Sequence, residues 1–400
     1  MKQIGNLRRM VAVLLSLVLM TGTVFVPASA ASVKGMIKSA ENQAKHNAGV
    51  AIKKTYNEMT IKQVPAHGYF SGKLTTTGQT TYNLLVDAAK NFRTEVRIPT
   101  ISSEEKQNVL NAIYWEHPEL FYFTDKNLTY VTHETESTAT ITYPNLAETK
   151  QKVSQFNSAV NNFLAGAPKN GTALQKELYV HDKLVRDTTY KLNTGTAYNS
   201  LVEHVGNCNA YSYAFSYLLN QLGVPTRVIR GTTNTSRDAK HMWNVVTLDG
   251  TEYMVEVTWD DPTNMNGSKF ISHRYFNVSK NMLTGNHTPY DAKDWVSCNS
   301  DSLGYYRQNG LFFANYDAAK AALPSILAKS ASDGMEYVEI QLASPAAVPT
   351  AYASLVDNGE IFPVLAAANQ TAAKKLNERT AGGDRNSTDC GVLRLTLFYA

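Results

Sequence analysis

Three side chains near the middle of this 400-residue sequence could together carry out acyl transfer: Cys208, His241 and Glu256. A thiolate is a strong nucleophile, an imidazole can take the thiol proton near neutral pH, and a carboxylate can hold the imidazole in the required orientation. We therefore predict Cys208 as the nucleophile, His241 as the general base and Glu256 as the orienting group.

The residues that follow Cys208 predict a buried helix. Apolar side chains of residues 209–222 recur at helical spacing, and Gly223 supplies a stop. Cys208 then lies at the helix N-terminus, where unpaired N–H groups and the helix dipole favour a thiolate. The alternative is a core cysteine that merely begins a helix, and its position alone does not choose between the two.

A β-hairpin is predicted to bring Glu256 toward His241. The strand that begins near His241 ends at Asp249-Gly250, a strong signal for a two-residue turn, and residues 251–259 are expected to return as its partner. A turn centred there pairs residues whose numbers sum to 499, so His241 faces Thr258 and Glu256 lies two residues away on the same face. Diagonal neighbours on one face are about 7–8 Å apart, within reach of a long side chain.

The other histidines are weaker candidates for the base. His181 and His204 precede the cysteine on or near predicted helices, and we expect a structural role for both. Asp260 and Asp261 lie past the end of the predicted strand and are expected to hold a turn rather than to replace the glutamate. The remaining six histidines have no nearby acidic residue that the predicted pattern places on the same face, as it places Glu256 near His241: His46, His67, His117, His133, His273 and His287.

Four further side chains are candidates for the wall of a substrate groove. Trp243 and Trp259 flank the predicted site, although core packing is the commoner use of a tryptophan. Tyr190 and Asn207 are candidates for a second oxyanion donor beside the backbone N–H of Cys208. Metal and cofactor motifs are absent from the sequence: there is no phosphate-binding glycine loop, no zinc-type cysteine pair and no calcium loop. We expect neither a metal nor a cofactor.

The start of the chain predicts a secreted protein. Residues 1–9 are basic, residues 10–26 are apolar, and Ala28-Ser29-Ala30 matches a signal-peptidase site, so residues 1–30 are a predicted signal peptide. An uncleaved anchor is the alternative, and no later segment is apolar enough to span a membrane. This segment carries three basic residues and no acid, so its removal lowers the net charge from +4 to +1. We therefore expect neither nucleic acid nor an anionic membrane as a partner.

The chain has three cysteines, an odd number for an oxidising compartment. At least one thiol is therefore unpaired or pairs between chains. If Cys298 pairs with Cys390, Cys208 is the free one. The composition, with 43% apolar and 18% charged residues, excludes disordered, collagen-like and coiled-coil classes.

Several motifs follow one another in the middle of the chain: Gly206-x-Cys208, Leu222-Gly223-Val224-Pro225, Val228-Ile229-Arg230-Gly231, His241-x-Trp243-Asn244, and the run from Tyr253 to Pro262. On these motifs, residues 174–289 resemble the transglutaminase-like superfamily, specifically secreted bacterial proteins with that core. The resemblance implies a papain-like α+β core, with the cysteine on a buried helix and the histidine and acid on adjacent antiparallel strands. The family normally has Asp at the position of Glu256, so Glu256→Asp is expected to keep or raise activity.

The predicted fold class is therefore α+β, in four parts. These are the signal peptide (1–30), an N-terminal helical region with a β-hairpin (31–165), the transglutaminase-like core (166–290) and a small α/β region (291–400). Within them we expect paired strands over residues 128–133 and 139–143, helices near 146–164 and 173–187, and a strand over 337–342. The expected function is cysteine-dependent acyl transfer, either hydrolysis or cross-linking, on extracellular or cell-wall protein or peptide. The alternative is a surface or wall binding protein that keeps the fold without turnover.

Overall fold

Helices and strands both contribute to the computed structural model, which describes residues 68–134, 136–234, 239–262, 270–384 and 389–400. The predicted α+β class is confirmed. The signal peptide and residues 31–67 lie outside the described residues. Within the described ranges, no helix combines the length and apolarity that a membrane crossing requires.

The N-terminal part combines two helices with a three-stranded antiparallel sheet of order β1-β3-β2. Ser102 begins the second helix by accepting a hydrogen bond from the Glu105 amide at 3.1 Å. The predicted hairpin is confirmed, but its second strand begins earlier than expected and a third strand joins it. The elements are α1 (Thr76–Lys90), β1 (Glu95–Pro99), α2 (Ser103–Glu116), β2 (Leu128–Thr132) and β3 (Glu136–Ile141).

Four helices then lead to and include the predicted nucleophile. Thr172 and Gln175 form a capping box at the start of the second of these helices. Both helices predicted upstream of the site are confirmed, as is the buried helix after Asn207. The elements are α3 (Leu146–Ala165), α4 (Ala173–Asp187), α5 (Ala197–Val202) and α6 (Cys208–Gln221), with the short parallel pair β4 (Thr189–Tyr190) and β5 (Val205–Gly206).

Helix α6 packs against an antiparallel sheet of order β8-β7-β6-β9. The predicted register is confirmed, because Asn244 lies opposite Val255 and Leu248 lies opposite Thr251. Phe215 and Leu218 of α6 are completely buried in the central core. The strands are β6 (Thr226–Thr233), β7 (Ala239–Leu248), β8 (Thr251–Val255) and β9 (His287–Pro289).

The C-terminal part is a smaller α/β layer with its own apolar core. The predicted strand over residues 337–342 is confirmed, whereas a 17-residue helix before it was not predicted. The short helix α7 (Lys280–Leu283) precedes β9 in the chain. The elements after β9 are α8 (Tyr305–Gln308), β10 (Phe312–Phe313), α9 (Tyr316–Ser332), β11 (Tyr337–Leu342), α10 (Val348–Tyr352), α11 (Ile361–Asn369) and β12 (Val392–Thr396). The domain boundaries after residues 165 and 290 stay a prediction.

Candidate functional site

The N-terminus of α6 presents Cys208 next to a capped first turn. Asn207 accepts hydrogen bonds at its Oδ1 from the amides of Asn209 (3.0 Å) and Ala210 (3.4 Å). Cys208 is 9% exposed and packs in a small apolar cluster with Val228 and Met242. The amides of the first turn are thus held by the cap, and the thiol lies at the edge of the core.

His241 connects the thiol to the carboxylate. Its Nε2 lies 2.6 Å from Oε2 of Glu256, and Cys208 lies close enough to raise the pKa of the ring, while the thiol itself donates to Oδ1 of Asn209 at 3.7 Å. Because Nε2 is engaged by the glutamate, Nδ1 is the ring nitrogen left for the thiol. The structure therefore brings the three predicted catalytic side chains into one chain of contacts, in the order thiol, imidazole, carboxylate.

Glu256 reaches His241 from a turn rather than from a strand. Its Oε1 accepts hydrogen bonds from the amides of Thr258 (2.9 Å) and Trp259 (3.3 Å). The expectation that the strand continues through residue 259 is wrong, since β8 ends at Val255. The buried carboxylate binds the two following amides and so turns the chain out of the sheet. Consequently His241 does not pair with Thr258, and its strand partner is Gly231 of β6.

At the buried pair of His241 and Glu256, burial and charge shift each pKa in opposite directions. Burial lowers the pKa of His241, but the Glu256 carboxylate and the neighbouring Cys208 outweigh burial and raise that pKa to about 10. Burial raises the pKa of Glu256, and the charge of His241 outweighs it and lowers that pKa to about 2. The environment thus favours an imidazolium beside a carboxylate.

The other two cysteines have a different environment. Burial raises the pKa of Cys298 to about 12 and raises that of Cys390 as well. Both lie in the apolar cluster behind the sheet, and all three cysteines of the chain are unpaired. These two thiols are therefore held in the neutral, unreactive form.

A second histidine faces the same carboxylate, and it was missed. His287 lies on β9 with its Nε2 3.6 Å from Oε2 of Glu256. The expectation that it lacks a nearby acid is wrong, and the same holds for His117 beside Glu119 and for His273 beside Asp182. The β6–β9 pairing that delivers His287 covers three residues, too few to give a periodic signal in the sequence.

His181 is completely buried and bonds two aspartates. Its Nε2 lies 3.1 Å from Asp260 and its Nδ1 lies 3.0 Å from Asp182. Asp260 also accepts from the amide of Tyr275. Asp260 therefore fixes the segment that follows Glu256 and does not take part in the site.

The predicted groove residues separate into two kinds. Trp243 is completely buried, with its ring centroid 6.2 Å from that of His241, so it is core beside the site and not the wall of an open groove. Trp259 is half-buried, with its ring centroid 5.4 Å from that of His241. Tyr190 is 48% exposed, and its raised pKa reflects burial first and the nearby Cys208 second. Asn207 serves as the helix cap.

Two groups of side chains could hold a metal ion within the described part of the chain. One comprises His181, Asp182 and His273, and the other comprises His241, Glu256 and His287. In each group the three ligand atoms lie within 4.8 Å of one another.

Comparison with known proteins identifies one family. Residues 159–256 match the model of the Transglutaminase-like superfamily, a range that contains Cys208, His241 and Glu256. No curated protein matches the chain.

Three solved structures show partial likeness at 12% identity. The crystal structure of a TGase aligns over 41% of this chain and 50% of that one, with a TM-score of 0.25. A protein assigned as a cysteine protease from Cytophaga hutchinsonii aligns over 36% and 65%, with a TM-score of 0.23. A protein assigned as a protease from Parabacteroides distasonis aligns over 36% and 40%, with a TM-score of 0.19. The chain spans half of the TGase, and its residues 159–256 form a domain that matches the transglutaminase-like superfamily.

Proposed function

We propose that this protein is a secreted cysteine-dependent acyl-transfer enzyme that acts on amide bonds of extracellular or cell-wall protein or peptide. The observation that carries the proposal is the position of His241, which lies 2.6 Å from Glu256 and close enough to Cys208 for the thiol to raise its pKa. A nucleophile, a base and an orienting carboxylate in this order are the minimum set for thiol-dependent acyl transfer. Secretion rests on the signal-peptide pattern of residues 1–30.

In the first half of the reaction, the proton of Cys208 rests on His241, as the imidazolium that the site favours, and the thiolate sulfur attacks the amide carbonyl carbon. The tetrahedral intermediate collapses as the C–N bond breaks, and His241 returns the proton to the departing amine or ammonia. The product is a thioester on Cys208. Glu256 keeps the imidazole in one orientation throughout, because its own carboxylate is fixed by two backbone amides.

The oxyanion of that intermediate has one natural donor. In the described part of the chain the Cys208 amide donates to no acceptor, whereas the next two amides are bonded to Asn207. A free N–H at a helix N-terminus stabilises developing negative charge. In the second half, water or a primary amine attacks the thioester, which gives hydrolysis or cross-linking respectively.

A binding protein without turnover was the alternative, and it depended on Glu256 being too long for the site. Its carboxylate instead makes a short contact with His241 and accepts two further hydrogen bonds from backbone amides of the turn. The additional methylene is therefore compatible with the orienting role.

Alkylation by iodoacetamide tests the nucleophile without knowledge of the substrate. We expect Cys208 to react selectively and faster than a free thiol at neutral pH, while Cys298 and Cys390 serve as internal controls in the same peptide map. His241→Gln should slow Cys208 to the rate of an ordinary buried thiol. Equal labelling of all three cysteines would refute the proposal.

The reaction type is tested by mass spectrometry of extracellular and wall proteins after incubation with the wild type or with Cys208→Ala. New termini indicate hydrolysis of peptide bonds, a mass increase of one unit at glutamine indicates deamidation, and linked peptides indicate cross-linking. Identical spectra from the two proteins would contradict any acyl-transfer activity on these substrates.

A further inference from the structure

His287 has the surroundings of a ligand rather than those of a packing residue. Its side chain is completely buried, yet its Nε2 has no hydrogen-bond partner. That nitrogen points to Oε2 of Glu256 at 3.6 Å, beyond hydrogen-bond distance. A buried polar atom without a hydrogen-bond partner destabilises the folded state, so the free Nε2 of His287 indicates that a bound ligand supplies the missing partner.

The other ring nitrogen explains which species would satisfy it. Nδ1 lies 2.7 Å from Oδ1 of Asn286, an acceptor, so Nδ1 carries the hydrogen. With the hydrogen on Nδ1, Nε2 of a neutral ring presents a lone pair toward the carboxylate. Two electron-rich atoms then face each other, and a cation between them would relieve this. Metal-binding histidines typically donate their second N–H to an oxygen in this way.

We propose that His241, Glu256 and His287 form a binding site for Zn²⁺ or a similar transition-metal ion. Ligands about 2.0–2.2 Å from a tetrahedral zinc ion are about 3.4 Å apart, close to the 3.6 Å between His287 Nε2 and Glu256 Oε2. The 2.6 Å contact of His241 with Glu256 widens by about 0.8 Å when the metal replaces the shared proton.

Two imidazoles and one carboxylate select the type of ion. This set suits zinc, cobalt and related metals, whereas calcium and magnesium require more oxygen ligands. The pocket is walled by aromatic rings, with Trp259 and Trp243 at 4.5 and 4.9 Å from the His287 ring. Its access is on the side of Cys208, since the two partly exposed groups there are the thiol and the His241 ring, each 9% exposed.

The consequence for activity rests on the proposed function. A metal bound to His241 and Glu256 occupies the base and its orienting group, so metal binding and acyl transfer exclude each other. Zinc would therefore act as a reversible inhibitor, released by a chelator.

The second histidine-aspartate group is a built-in control. The spacing is similar among His181, Asp182 and His273. Both ring nitrogens of His181 and Nε2 of His273, however, are already bonded to the carboxylate of Asp182 or of Asp260. No unpartnered atom points into it among the described residues. We expect this second group not to bind metal.

The test is a titration of the purified, chelator-treated protein with Co²⁺, followed by its visible absorption. We expect one tetrahedral Co²⁺ per chain, displaced by Zn²⁺ but not by Ca²⁺ or Mg²⁺. His287→Gln should weaken Co²⁺ binding by about a hundredfold or more, whereas His273→Gln should leave it unchanged. Circular dichroism checks that both variants fold, and anomalous diffraction from a zinc-soaked crystal locates the ion if His287→Gln does not.

Failure of the site and failure of the proposed function give different results. No Co²⁺ spectrum, equal affinity in His287→Gln, or an ion located elsewhere overturns the metal site and leaves the acyl-transfer proposal standing. Tight Co²⁺ binding in a protein whose Cys208 is unreactive supports the metal site and overturns the enzyme.

Discussion

The length of Glu256 can be tested by the substitution Glu256→Asp. The Glu256 carboxylate now bridges His241 at 2.6 Å and the amides of Thr258 and Trp259 at 2.9 and 3.3 Å. Removal of one methylene retracts the carboxylate by about 1.5 Å. An aspartate readily bonds the amide two residues ahead, so Asp at this position would keep the turn and lose the imidazole.

The expected magnitude follows from this displacement. Misplacement by about an ångström of a group that positions a catalytic side chain costs about a hundredfold in rate, equivalent to about 2.7 kcal/mol. We expect the alkylation rate of Cys208, and any turnover that is found, to fall by this factor in Glu256→Asp. The geometry reverses the expectation from the family pattern, in which Asp is the normal residue.

The assay is the pseudo-first-order labelling rate of Cys208 by iodoacetamide, measured by mass spectrometry at about pH 7. Glu252→Asp is the matched control, since Glu252 lies on β8, just before the turn that carries Glu256, but pairs with Arg227. It should label at the wild-type rate. Labelling of Glu256→Asp at or above the wild-type rate would show that Glu256 does not orient His241 in the way described.

Three further predictions concern stability. Burial raises the pKa of Glu177 to about 8, so the folded state keeps a proton that the unfolded state loses near the ordinary pKa of a glutamate. The free energy of unfolding therefore falls between about pH 5 and 8. Glu177→Gln should remove this slope of about 1.4 kcal/mol per pH unit in urea unfolding, and an unchanged slope would be the contrary result. A Cβ on Gly231 would lie 2.1 Å from the Thr288 carbonyl oxygen, so Gly231→Ala should lose about 1–3 kcal/mol, while Gly72→Ala, with nothing within 4 Å, should lose none by the same measurement. Asn207→Ala removes the cap of α6 and should cost about 1 kcal/mol in urea unfolding, and wild-type stability would argue against the capping role.

Local signals in the sequence accounted for most of the central fold. The Asp-Gly turn alone set the register of β7 and β8, because a two-residue turn leaves one possible pairing. The run of helix-breaking residues 166–171 separated α3 from α4, and both helices were located nearly to the residue. Helix α9 was missed because its alanine-rich sequence has little periodic contrast and contains Pro324 in its interior.

The candidate site was accessible from the sequence only in part. Cys208, His241 and Glu256 could be chosen because a helix start and a hairpin are local patterns. The end of β8 could not be predicted from the sequence, since it depends on the Glu256 side chain binding backbone amides two and three residues ahead of it. His287 could not either, because three residues of β9 join β6 from a distant part of the chain. Contacts of this kind are non-local and leave no periodicity.

The order of strands in the central sheet determines how the site would respond to partial loosening. His241 is on β7, between two neighbours, while Glu256 follows β8 and His287 lies on β9, the two outermost strands. Strands at the edge of a sheet separate from it at a lower free-energy cost than strands in its middle. Mild heating or dilute denaturant should therefore separate the Glu256 carboxylate from His241 while most of the protein is still folded. The alkylation rate of Cys208 should then fall before global unfolding begins.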